Sequence, residues 1–96
     1  MENNQFLEKN IVFTGASVIK RDFLFGLAEA IGANPQKGVN KQTDLIIVGE
    51  NPGNKKLGLA EKYEIPQVED HLFVETVNKE YPNMSPEEIL DELFAY

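Results

Sequence analysis

"NIVFTGAS", Asn10 to Ser17, is a run of apolar and β-branched residues that stops abruptly at Thr-Gly. Asn10 to Phe13 reads as a short buried strand, and Gly15 ends it. A strand that finishes in a hydroxyl and a bare backbone has two explanations. Either Thr14 caps a turn for which Gly15 supplies an unusual dihedral, or the pair offers a hydroxyl and an approachable N–H to an anion.

Downstream, Phe23, Leu24, Leu27, Ala28 and Ile31 fall at i, i+1, i+4, i+5 and i+8, one face of an α-helix, with Gly32 where a C-terminal cap belongs. Phe25 lies off that stripe, so it is either half-exposed or packed under a loop. Asn34 to Gln36 is a brief second strand, placed at a sheet edge because Pro35 cannot donate a ladder hydrogen bond. "DLIIV", Asp44 to Val48, is the continuous apolar run of a strand covered on both faces. "GENPGN" is a loop. A helix follows from about Asn54, with Leu57, Ala60 and Tyr63 on one side. "IPQV", Ile65 to Val68, is a fourth strand, and Leu72, Phe73, Thr76 and Val77 mark a third helix. The order β-α-β-β-α-β-α implies a mostly parallel sheet with helices on both faces.

The last segment, "MSPEEILDELFAY", reads as a unit of its own. Ser85 suits the N-cap, Pro86 the first helical position, and Glu88 completes a capping box. Ile89, Leu90, Leu93 and Phe94 repeat the amphipathic stripe. We therefore expect a domain over residues 1–81 and a helical extension over 82–96. The short link Tyr81 to Met84 lets that helix fold straight back onto its own domain, with a homodimer or a partner protein as the alternatives.

The 96 residues suffice for one core. An apolar content of 42% and a charged content of 26% are ordinary for a globular domain. No stretch has the length of a membrane span, and no signal-peptide pattern begins the chain, so no membrane role is expected. The absence of cysteine excludes disulfides and thiol chemistry, and suits the cytoplasm. One histidine, His71, excludes any site that needs two imidazoles. The net charge of −7 is unevenly spread. Between Lys20 and Lys62 seven basic residues face five acidic ones, whereas from Tyr63 onward nine acids accompany a single base. The middle of the chain can thus present a locally positive face while the C-terminal third repels polyanions.

No nucleotide-binding, hydrolase or metalloprotease motif occurs, so no catalytic residue, metal or cofactor is expected. The acidic pairs Glu69/Asp70 and Glu87/Glu88 open helices, where the helix dipole accounts for them. The better candidate is an anion site beyond the C-terminal ends of the strands. Thr14 and Gly15 sit at one such end. The helix beginning at Asn54 brings free N–H groups and Lys55 or Lys56 to the same side.

These residues resemble those of a BRCT domain, in particular the class found in bacterial NAD-dependent DNA ligases and in the large subunit of replication factor C. The matching stretches are "IVFTGAS", "KRDFLFGLAEAIGA", "KGVNKQTDLIIVGENPGNKKLGLAEKYEIP" and "VEDHLFVETV". Within them the Thr-Gly turn, the Arg-Asp helix opening, V-x-K-x-T and G-x-N-P-G-x-K occur in family order. The resemblance covers about three quarters of the chain. It implies an α/β fold with a four-stranded parallel sheet in the order 2-1-3-4, flanked by three helices, to which this chain adds its C-terminal amphipathic helix. It also implies a non-catalytic module of DNA replication and repair that binds a 5′-phosphorylated DNA end, or else a phosphorylated or other protein. The phosphate ligands of the family carry over to Thr14, Gly15 and Lys56, with Lys55 the alternative because the loop alignment can slip by one. Arg21 matches the arginine that contacts the DNA end in replication-factor members, although the loop before it is one residue shorter. The chain departs from the family in having Gly32-Ala33 where a Gly-Gly pair is common, and Phe73 where many members carry tryptophan. The rival readings are a phospho-independent protein-interaction domain and the C-terminal piece of a DNA ligase. The Met1 start and the added helix favour a free-standing protein over the latter.

Overall fold

A computed structural model describes residues 4–94 of the chain. Its elements run β1 (Asn10–Thr14), α1 (Arg21–Ala30), β2 (Asn34–Gln36), β3 (Leu45–Val48), α2 (Asn54–Lys62), β4 (Gln67–Glu69), α3 (Asp70–Glu80) and α4 (Pro86–Phe94). All strand pairs are parallel, and the sheet order is β2-β1-β3-β4.

Strand alternation divides the interior in two. Ile11 and Phe13 of β1 and Ile47 of β3 point to one face, where they meet Leu24, Leu27, Ala28 and Ile31 from the α1 segment, Phe73 and Val77 of α3, and Ile89 of α4. Val12 and Ile46 point to the other face and meet Ala60 of α2 and Ile65. Both faces of β1 are therefore covered, which is why its sequence is apolar without alternation. On the larger side the rings of Phe6 and Phe13 each stand edge-on to Phe73, at 5.5 and 5.2 Å between centroids. Phe25 is half-buried, its ring 6.0 Å from that of Phe13. Leu72, expected on the packed face of α3, is instead 36% exposed.

Helix ends follow from local chemistry. Gly32, at φ 85°, closes α1 in a Schellman motif, with Gly32 N–H donating to Glu29 O and Ala33 N–H to Ala28 O. The end of α2 repeats the motif with Glu64 at φ 56° in the glycine position, its N–H donating to Glu61 O and that of Ile65 to Ala60 O. That closing turn holds Glu64 and Ile65, so the fourth strand begins at Gln67 rather than at Ile65.

Helix α4 opens with the expected capping box: Glu88 N–H donates to Ser85 Oγ, and Ser85 N–H to Glu88 Oε1. These bonds hold the Glu88 carboxyl below the usual carboxylate range. The helix lies across α1, with Ile89 1% exposed and Leu90 half-buried. Gly26 sits in the middle of α1, where a glycine ordinarily costs helix stability. A Cβ at Gly26 would stand 2.6 Å from Leu90 Cδ2, so the missing side chain makes room for α4. Leu93 is 38% exposed, and the side chain of Phe94, the fourth member of the expected stripe, lies outside the described residues.

Candidate phosphate-binding site at the end of the first strand

With the order β2-β1-β3-β4, the chain leaves β1 toward α1 on one face and β3 toward α2 on the other. The two connections diverge, and in parallel sheets such a reversal opens a crevice beyond the strand ends. Here the two strand ends are bound closely together. Ala16 N–H donates to Glu50 O at 2.7 Å and Glu50 N–H to Ala16 O at 2.8 Å. Gly15 adopts φ 85°, and a Cβ on it would lie 2.6 Å from Glu50 O, so both dihedral and space demand glycine.

Thr14 faces the α2 side and is 3% exposed. Its Oγ1 accepts the N–H of Gly53, the N-cap of α2, at 2.9 Å. This bond ties the start of α2 to the end of β1 and phases the helix. As a result Lys56 turns toward the strand, and its ammonium donates to Phe13 O at 2.9 Å. Arg21, the first residue of α1, reaches the same place from the opposite face of the sheet. Its Nη1 donates to Phe13 O at 3.3 Å and its Nη2 to Gly15 O at 2.9 Å. Two cations thus share one neutral carbonyl. Burial, and then the neighbouring Arg21 charge, push the Lys56 ammonium below the ordinary lysine range.

Of the six residues singled out from the sequence, Thr14, Gly15, Arg21 and Lys56 converge at the strand end. Asn54 and Lys55 occupy the first turn of α2 with exposed side chains, and that turn has N–H groups without intrahelical acceptors. Of the two lysines between which the sequence left a choice, Lys56 is the one held against β1. Two participants escaped sequence reasoning. The Phe13 carbonyl is a backbone atom at a position whose side chain signals only core, and Gly53 is the tether of α2. The Pro-Gly step in "GENPGN" was the available signal for the second.

Beside this cluster lies a crevice of about 520 Å³ bounded by the ends of β1, β3 and β4 and the start of α3. Glu50, Glu69, Asp70, His71 and Val18 line it. Ser17 Oγ donates to Asp70 Oδ2 at 2.9 Å, and His71 Nδ1 stands 3.1 Å from Glu69 Oε2. The strand-end edge is therefore cationic between α1 and α2 and anionic toward α3. Among the described residues no group of three or more histidines or carboxylates is arranged to hold a metal ion, and no helix is long and apolar enough to cross a membrane.

The model of the BRCA1 C Terminus (BRCT) domain matches residues 1–91. A DNA ligase of Helicobacter hepaticus is 38% identical over 77 residues, which are 80% of this chain and 12% of that protein. A DNA ligase of Helicobacter pylori is 42% identical over 60 residues, 62% of this chain and 9% of the ligase. The chain thus spans about a tenth of the length of the curated relatives it matches. Among solved structures, the C-terminal BRCT domain of human XRCC1 superposes with a TM-score of 0.61 over 85% of this chain and 86% of that one, at 11% identity, a likeness of fold alone. With the sheet order, the flanking helices and the family match in agreement, the chain belongs to the BRCT family, in the company of the BRCT domains of DNA ligases.

Proposed function

We propose that this BRCT domain is a non-catalytic, cytoplasmic module of DNA replication and repair that holds the phosphate of a 5′-phosphorylated DNA end beyond β1. The observation that carries this reading is the meeting of Arg21 and Lys56 at the Phe13 carbonyl. Holding two cations around one neutral acceptor is unfavourable, and a doubly charged phosphate between them would reverse the sign of that interaction. Arg21 has donors to spare beyond its two carbonyls, and Lys56 has two more protons. Thr14 accepts from Gly53 and keeps its own hydroxyl proton to donate. Gly15 adds its N–H, and the first turn of α2, from Asn54 and Lys55, adds backbone N–H groups and the positive end of the helix dipole.

Titration with a 5′-phosphorylated duplex, following backbone amide signals, should move Gly15 and Gly53 to Lys56. The same duplex with a 5′-hydroxyl should bind more weakly by at least tenfold. Equal affinity for the two ends would overturn the reading. A second reading, recognition of a protein segment, is favoured by Val18, which stands 89% exposed beside the acidic crevice. In that case a peptide would shift Val18 and His71 rather than Gly53 to Lys56.

A further inference from the structure

We infer that the DNA strand leading from the bound end runs along the outer face of α2, where Lys55, Gly58 and Lys62 form a track for its phosphates. The inference rests on the end-binding reading above and adds a direction to it. Residues three, four and seven apart share a helix face, and at 100° per residue Lys55, Gly58 and Lys62 fall within about 60° of one another. All three are exposed, while Ala60 and Tyr63 turn inward against the sheet. Lys55 and Lys62 are about 10 Å apart along the axis at 1.5 Å per residue, far enough for each to meet a different phosphate of one strand.

Gly58 is the unexplained member. A Cβ there would have nothing within 4 Å, so neither packing nor a turn requires glycine at this position. A glycine in an exposed helix interior weakens the helix. What it provides is a shallow gap on the face that carries Lys55 and Lys62, through which a sugar–phosphate chain can approach the helix closely; the Lys62 ammonium, now 5.6 Å from the Tyr63 ring, would swing to meet it. The track begins at the helix end that also carries Lys56, so it is continuous with the proposed site. Glu61 flanks the track on one side. The opposite exit from the site, past Glu50, Glu69 and Asp70, is closed to a polyanion by charge.

Fluorescence anisotropy with 20-base-pair duplexes, phosphorylated or hydroxylated at the 5′ end, over a range of salt tests this on the full chain. Lys62→Ala should lower the salt slope by about one and weaken both duplexes several-fold, leaving the preference for the phosphorylated end intact. Gly58→Leu should weaken both several-fold while its melting temperature stays level or rises, a combination that a structural role would not produce. Glu61→Gln should tighten both. Unchanged affinity in Gly58→Leu and Lys62→Ala, alongside a retained preference for the phosphorylated end, would overturn the track and spare the end site. If the unaltered chain shows no preference between the ends, the end site falls, and the track falls with it.

Discussion

Replacing Gly26 by alanine, alone and together with Leu90→Ala, tests how α4 is joined to the rest of the domain. Gly→Ala in a helix interior ordinarily stabilises by about 1 kcal/mol. At Gly26 the new methyl would stand 2.6 Å from Leu90 Cδ2, a contact that must be relieved. Overpacking costs about 1–3 kcal/mol, and because the obstructing atom is the tip of a flexible side chain the lower end applies. Gly26→Ala alone should therefore be close to neutral. Leu90→Ala should cost about 2 kcal/mol, the low end for leucine because the residue is half-buried. In the Leu90→Ala background the obstruction is gone, and Gly26→Ala should recover its full gain of about 1 kcal/mol. The coupling, about 1 kcal/mol, exceeds the scatter of about 0.3–0.5 kcal/mol seen between independent sites. It corresponds to roughly 4–8 °C in melting temperature for a domain of this size. Urea unfolding of the four proteins measures it. Additivity within 0.5 kcal/mol, by the same standard, would mean that α4 does not rest on α1, and that residues 82–96 behave as a separate appendage.

Three other substitutions probe the remaining claims. Thr14→Val keeps the shape of the side chain but removes the acceptor for Gly53 N–H, and should cost about 1–2 kcal/mol in urea unfolding; no loss would mean that the tether does not hold α2. Because Lys56 has its pKa lowered by folding, the unfolded chain holds more protons than the folded one at pH values between that lowered value and the ordinary lysine value. Its contribution to stability therefore increases across that window, whereas affinity for a phosphorylated end should fall across it. Lys56→Arg should abolish both trends, and a pH profile identical to that of the unaltered chain would refute the assignment. Finally, Glu64→Gly relieves a left-handed backbone at the end of α2 and should raise stability by about 1 kcal/mol in thermal unfolding.

Periodicity carried most of the fold, because each element buries one face and its sequence repeats with the geometry of that face. The helical stripe from Phe23 to Ile31 and the unbroken "LIIV" were both readable in this way. Less legible was what depends on two segments meeting. The stripe of α4 announced that something must cover it but not what, since an apolar face carries no address; the complementary sign was Gly26, which is meaningful only once Leu90 is beside it. Leu72 kept the spacing of a core position yet is 36% exposed, because spacing along a helix says which residues share a face but not how far the covering surface reaches. In the candidate site, Thr14 and Gly15 stood out because they pair a hydroxyl with an approachable backbone N–H at a strand end, although such turns are also common without any ligand. The ambiguity between Lys55 and Lys56 was one of helix phase, and the bond from Gly53 N–H to Thr14, 39 positions apart, sets that phase. Arg21 entered only through family likeness, since its partners are carbonyls and leave no trace in the pattern of side chains.

The two outer strands carry a consequence for how this domain behaves when crowded. β2 has three residues with Pro35 at its centre, and β4 has three residues preceded by Pro66. Long, unpaired edges are templates on which further strands, including those of other copies, can add and propagate into fibrils. Here neither edge offers more than a short ladder, and Pro35 removes a donor from the middle of β2. Copies gathered at high local density would gain little by joining sheet to sheet. Strand-by-strand, open-ended polymerisation is thereby disfavoured.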